Sequence, residues 1–369
     1  MKQRLLITTA LIGIFGLFIY LSCCDDCPTC PGDIEPPPLG NYRCYIWDTY
    51  NHVIMSIDTP ADTIVDTLHT DLMGYNFFVT PGGDKLLVLD YPTHSTQIYS
   101  TADLSHIGSL DMYGDFYFDG GDNYCLFNSL VDDKIYFIDP VTFAPYDSIP
   151  RETWFGCLDT VDNVFFGCKS EADSNGNSVE PNVIFQIDCD TRELVDSFVV
   201  TAIDTQSPIL IYRMAYNRNT NELFFHGREQ YTGYSYFYRY KIATESVERI
   251  LSTRRPFGDV AISVDGNEMY MSDPGQDLFG ISGSPYFMIF DADSAELLAT
   301  VPSYLYPELT YVRPVWALIN QTPDGQRLYV TAEMEGSAVV IDLQKRMIVN
   351  VLGFHEYESC NIIAIGPAI

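Results

Sequence analysis

Positive charge is what this sequence has least of. Twenty lysines and arginines stand against fifty aspartates and glutamates, a formal net charge of −30. A surface this acidic repels phosphate backbones and argues strongly against nucleic acid as a partner. Histidine is scarce as well: the six, at positions 52, 69, 94, 106, 226 and 355, are scattered, and none forms a pair spaced for zinc. There is no P-loop, no dinucleotide fingerprint and no Ser-His-Asp set. Asp173-x-Asn175-x-Asn177 with Glu180 echoes a calcium loop, but its glycine sits at the fourth position rather than the sixth. The sequence therefore calls for no metal and no cofactor, and names no catalytic residue. His226, with Arg228 and Glu229, is the only tempting acid–base group. Convincing amphipathic helices are also missing from residues 41–369, which leaves strands as the building material.

The N-terminus carries an address. Lys2 and Arg4 precede an uncharged apolar run from Leu5 to Leu21, followed by Ser22-Cys23-Cys24. A basic segment followed by an apolar one marks an export signal. Cysteine directly after Leu-Ser resembles a bacterial lipobox, in which the cysteine is lipidated, so residues 1–23 are expected to be a lipoprotein-type signal peptide. Cys23 has Ser22 before it but Tyr20 where leucine is usual; Cys24 has Leu21 in place but Cys23 before it. Either is the lipidation candidate. An uncleaved anchor of about 18 residues is the alternative, near the short limit for spanning. Both readings place the rest of the chain outside the cytoplasm, held to a membrane in the periplasm or at the cell surface of a bacterium. Residues 24–40 are a Pro/Cys-rich tether with three consecutive prolines and nothing to bury. Its Cys27-x-x-Cys30 pair has no second pair to complete a metal site.

Residues 41–369 read as one body built from a repeat. Its cleanest copy runs from Trp316 to Leu352. An apolar run leads to the turn Thr322-Pro323-Asp324-Gly325, then come strands at Leu328–Thr331 and Ser337–Asp342, a polar turn at 344–346, and a last strand to Leu352. Four short strands in roughly 40 residues make a propeller blade, provided the unit recurs. The ends of the third strands fall at Asp58, Ser100, Asp139, Asp188, Ala243, Asp291 and Asp342, and an apolar residue follows ten positions after six of them. The exception is Ala243, whose turn reads as shorter. The first unit lacks its first strand. Cys360–Ile365 aligns with first strands elsewhere, so it is expected to pair with Arg43–Asp48 and close a seven-bladed, all-β propeller of four-stranded antiparallel blades.

Thr322-Pro323-Asp324-Gly325, Arg327-Leu328-Tyr329-Val330-Thr331 and Val339-Val340-Ile341-Asp342 together resemble the YVTN repeat of bacterial and archaeal surface and periplasmic propellers. Thr80-Pro81-Gly82-Gly83 and Ser263-Val264-Asp265-Gly266 head weaker copies. The resemblance extends to lactonase-type propellers and to the propeller subunit of quinohaemoprotein amine dehydrogenases. It implies architecture only, because the repeat is structural and carries no catalytic residue.

Loop lengths point to a functional face. The one–two turns and most three–four turns are short. The long two–three loops (169–182, 226–235, 272–285) and four–one loops (201–208, 302–313, 353–359) all fall on the other face. Variable loops on a rigid frame are where binding resides. Tyr75, Phe116, Trp154, Tyr212, Phe257, Trp316 and Tyr357 stand near the starts of inner strands there, where they either ring a central funnel or pack between blades. Arg151, Arg213, Arg254, Arg255 and Arg313 gather at the same end. Arginines at the mouth of an acidic protein suit a carboxylate or phosphate, or else pair with local acids such as Glu152 and Asp259. The candidate ligand set is therefore Arg151, Arg213, Arg255, Arg313, Trp154, Tyr212 and Trp316. The expected role is a binding or scaffold module for a protein or small anionic ligand. The alternative is a lactonase-like hydrolase or a dehydrogenase-associated propeller working through the funnel.

One body disulfide is expected, Cys157–Cys168, if the turn between them is the two-residue Asp162-Asn163. A Thr160–Asn163 loop would make them diagonal and bonding unfavourable. Cys44 and Cys360 fall at opposite ends of their strands, about 13 Å apart at the usual rise, too far to join.

Overall fold

The structure is a computed structural model. It describes residues 40–48, 51–119, 123–151, 153, 155–169, 183–202, 207–229, 234–253, 259–273, 286–302, 318–332, 337–353 and 360–367. The signal and tether expected over residues 1–39, with Cys23 and Cys24, and the calcium-like loop lie outside these.

Seven four-stranded antiparallel sheets make up a seven-bladed β-propeller. The first strands of blades one to seven are Cys360–Pro367, Gly74–Val79, Gly114–Phe118, Phe155–Asp159, Ile209–Asn217, Val260–Ile262 and Ile319–Gln321. In blade one the C-terminal strand lies beside Tyr42–Asp48, with Cys44 opposite Ile365 and Asp48 opposite Cys360.

Burial follows from where each strand sits. Second strands are covered on both sides by neighbouring blades, so they are continuous apolar runs: Leu86, Leu87, Val88 and Leu89 are all fully buried. Fourth strands lie at the rim, and Thr63–Val65 are exposed. The buried side chains form seven clusters, one for each pair of adjacent blades. One joins Cys44, Ile46, Met55 and Ile57 of blade one to Tyr329, Ala338, Val340 and Leu352 of blade seven. Another joins Phe166, Ile184 and Phe198 of blade four to Met214, Leu223 and Phe225 of blade five.

Two turn types recur, each with a local cause. In the one–two turns of blades two, six and seven, Gly83, Gly266 and Gly325 take φ of 72°, 75° and 71°, the left-handed region that glycine enters without penalty. Each donates its N–H at 2.8 Å to the carbonyl of Thr80, Ser263 or Thr322. In the three–four turns a left-handed residue stands at Asp62, Leu104, Phe143, Arg192, Glu245, Ala295 and Arg346, once per blade. At Asp139, Asp188, Asp291 and Asp342 the carboxylate accepts amides of the turn that follows. Asp139 Oδ1 takes those of Val141 and Thr142 at 3.0 and 2.7 Å, and Asp291 Oδ1 those of Asp293 and Ser294 at 3.1 and 2.7 Å. These bonds hold the carboxyls of Asp139 and Asp291 below the usual range.

Two expectations are corrected. The fifth blade has no shortened turn. Its third strand ends at Lys241, not Ala243, Lys241 pairs with Ser246 just as Asp188 pairs with Glu193, and Leu251 takes the apolar position ten residues on. Cys157 and Cys168 are not a disulfide. Asp159 pairs with Val164, so the turn is the four-residue 160–163, Cys157 faces Phe166 and Cys168 faces Phe155. Both thiols are free, as are those of Cys44, Cys125 and Cys189.

Candidate functional site in the axial channel

The first strands surround the axis, and their residues set what the channel presents. Thr80, Asp119, Asp159, Asn217 and Ser263 open or precede the one–two turns of blades two to six. Four residues before each stand Asn76, Asp115, Phe155, Arg213 and Asp259. Equal offsets from equivalent turns put these five at one level, towards the long-loop end of the strands.

Their interactions cross between blades. Asn76 Nδ2 of blade two donates to Asp115 Oδ1 of blade three at 3.0 Å. The Arg213 guanidinium of blade five lies over the Phe155 ring of blade four, 5.6 Å from its centroid. Asp259 of blade six is held at both oxygens: Oδ1 accepts the Val260 amide and Oδ2 the Ile319 amide of blade seven, each at 2.9 Å. Burial raises the carboxyl pKa of both Asp115 and Asp259, and the charge of Arg213 opposes the rise in each case. Blades five and six are neighbours, so Arg213 acts on Asp259 from the adjacent blade, whereas Asp115 lies two blades away and feels it past blade four. Asp115 and Asp259 each keep some accessible surface while lying deep in the protein, as groups facing an internal channel do. Arg213 is exposed, and among the described residues no carboxylate comes within salt-bridge distance of it.

The backbone is irregular at this level. In blade five Ile211 pairs with Gly227 and Arg213 with His226, so Tyr212 is an inserted residue. In blade two the pairing jumps from Gly74–Asp90 to Phe77–Val88, and in blade one from Trp47–Ile362 to Asp48–Cys360. Blades three and four pair without a shift. Such bulges re-aim side chains next to functional sites.

Of the seven residues expected at the mouth, Arg213 stands at the level of Asp115 and Asp259, and Tyr212 is the inserted residue beside it. Tyr212 is half-buried, its ring centroid 5.9 Å from that of His226; burial raises its phenol pKa against the opposing charge of Arg228. Arg151 is exposed at the end of blade three, and no contact joins it to Arg213 among the described residues. Arg255, Arg313, Trp154 and Trp316 lie outside the described residues. Phe116 is a packing residue, 3% exposed among Phe78, Phe127 and Phe143. His226 does not open a long loop: it lies inside the strand Glu222–Glu229, fully buried, and burial pushes its pKa down to about 3. A base that resists protonation so strongly is unsuited to proton transfer near neutrality. Asn76 and Asp115 were not expected at the site, and Asp259 was expected only as an acid that could pair with the arginines. Their shared offset from the one–two turns is the sequence signal that finds them.

No protein-family model matches the chain, and no curated protein does. Solved structures match its fold. A functionally unknown protein from Desulfotomaculum acetoxidans is 12% identical, with a TM-score of 0.60 over 89% of this chain and 99% of that one. Apo AztD from Citrobacter koseri is 12% identical, with a TM-score of 0.57 over 88% and 97%. Kuenenia stuttgartiensis hydrazine synthase is 14% identical, with a TM-score of 0.56 over 75% and 78%. The last two are β-propellers. At such identities the likeness is one of fold. The YVTN resemblance finds no matching family model.

Proposed function

We propose that this protein is an extracytoplasmic, lipid-anchored propeller that binds a small anionic ligand at the long-loop end of its axial channel, with Arg213 as the anchor. One observation carries the reading. In a chain with fifty acids and twenty cations, the exposed guanidinium of Arg213 has no carboxylate within salt-bridge distance among the described residues. Its lower face is covered by Phe155, which leaves the N–H edge for an incoming carboxylate or phosphate. Calorimetric titration with acetate and inorganic phosphate tests this. Wild type should bind at least one of them, and Arg213→Gln should not. Equal binding by both proteins would refute the reading.

The anchor rests on the sequence alone. Mass spectrometry of the mature N-terminal peptide should find a lipid on Cys23 or Cys24, and an unmodified Met1 terminus would oppose it.

A second reading keeps the same channel but makes it catalytic, as a lactonase-like hydrolase or a dehydrogenase-associated propeller. The raised carboxyls of Asp115 and Asp259 favour it, since a perturbed acid in a cleft is a general-acid candidate. Lactone turnover abolished by Asp115→Asn would favour the enzyme over the binding module.

A further inference from the structure

We infer that the channel ligand is a small zwitterion, its carboxylate on Arg213 and its ammonium on Asp115. This rests on the anion-binding reading and narrows it. The two channel carboxylates differ in what they have left to offer. Asp259 has both oxygens occupied by backbone amides, so it acts as a strap between blades six and seven. Asp115 takes the Asn76 amide on Oδ1, and among the described residues no protein donor reaches its Oδ2. Among the described residues, one level of the channel thus offers a guanidinium fork and a carboxylate oxygen with no protein partner.

Charge decides which ligands suit the pair. With Arg213, Asp115 and Asp259 ionised, the level carries one positive and two negative charges. A dianion adds more repulsion than the single arginine offsets. A monoanion satisfies Arg213 but leaves Asp115 desolvated without a counter-charge. A ligand with a carboxylate at one end and an ammonium at the other makes a charge-assisted hydrogen bond to each and adds no net charge. A neutral polyol fits neither charged group as well.

The test uses the full chain purified in detergent micelles. Glycine, 3-aminopropanoate, 4-aminobutanoate and 6-aminohexanoate are titrated beside acetate, ethylamine and glycerol. The best zwitterion should bind at least about tenfold more tightly than acetate or ethylamine, the margin one extra charge-assisted hydrogen bond gives. Asp115→Asn keeps the size of the side chain and an acceptor for Asn76. It should erase that margin while acetate still binds. Arg213→Gln should lose both acetate and zwitterion, and Arg213→Lys, which keeps the charge without the fork, should weaken both. If acetate binds through Arg213 but no zwitterion exceeds it, or the margin survives Asp115→Asn, or glycerol binds best, the zwitterion is wrong; in the first two cases the anion site stands. If neither acetate nor any zwitterion responds to the Arg213 variants, the anion reading falls and this inference with it.

Discussion

Tyr329 of blade seven donates its phenol to Asp62 Oδ1 of blade one at 2.6 Å, across the seam between the first and last blades. Asn350 Nδ2 reinforces the contact by donating to the Asp62 carbonyl at 2.9 Å. Tyr329 is fully buried, and burial raises the Asp62 carboxyl while the phenol's hydrogen bond opposes that rise. Removing the donor leaves a desolvated carboxylate short of a partner. Tyr329→Phe should therefore cost about 1–3 kcal/mol of unfolding free energy in urea melts. An unchanged midpoint would mean the seam does not depend on this bond.

The strand beside the seam should matter more. Tyr42–Asp48 pairs along its length with Cys360–Pro367. Deleting residues 359–369 exposes that edge and removes the inner strand of blade one. The truncated protein should melt well below the full chain or fail to fold. A melting temperature equal to that of the intact protein would contradict the observed pairing.

His226 gives the protein an acid sensitivity with a known sign. Its pKa falls from an ordinary 6.5 to about 3 because the ring is buried. Between those values the unfolded chain binds a proton that the folded chain does not, so stability rises with pH across that window and is lost as pH falls. The slope from this residue is at most about 1.4 kcal/mol per pH unit. In His226→Phe the difference in unfolding free energy between pH 4 and pH 7 should shrink. Parallel pH curves for the two proteins would show that another group sets the slope.

Asp115 should behave in the opposite sense. Burial raises its carboxyl, so the ionised form opposes folding at neutral pH, and the penalty is relieved on protonation. Asp115→Asn should raise stability at pH 7, by about 0.5–2 kcal/mol if it resembles other relieved functional sites. That gain should vanish below the ordinary carboxylate value of 3.8. Differential scanning calorimetry at pH 7 and pH 3.5 measures both, and a lower melting point for the variant at pH 7 would mark Asp115 as structural.

The fold was legible because its turns repeat. Six of the seven third-strand ends could be read directly from the fixed ten-residue spacing to an apolar residue, and in five of them the aspartate or serine at that point accepts an amide of the turn. The seventh was misread by two residues. Lys241 ends that strand, and a lysine cannot accept those amides, so the marker is absent from the sequence. The Cys157–Cys168 pairing failed for a related reason: a hairpin's register depends on whether its turn holds two residues or four, and Asn163 at φ 53° is compatible with either. The site was half legible. Arg213 stood out because cations are rare here. Asp115 did not, since an aspartate among fifty acids carries no signal until it is placed on the axis, and Asp259 entered only as an acid that could pair with the arginines.

The unequal bulges of the first strands bear on how a ligand would lie. Seven copies of one unit would present seven interchangeable orientations to anything entering along the axis. Shifted pairing in blades one, two and five, against unshifted pairing in blades three and four, breaks that rotational degeneracy. An asymmetric molecule in this channel therefore meets one preferred azimuth, fixed by the backbone before any side chain is counted.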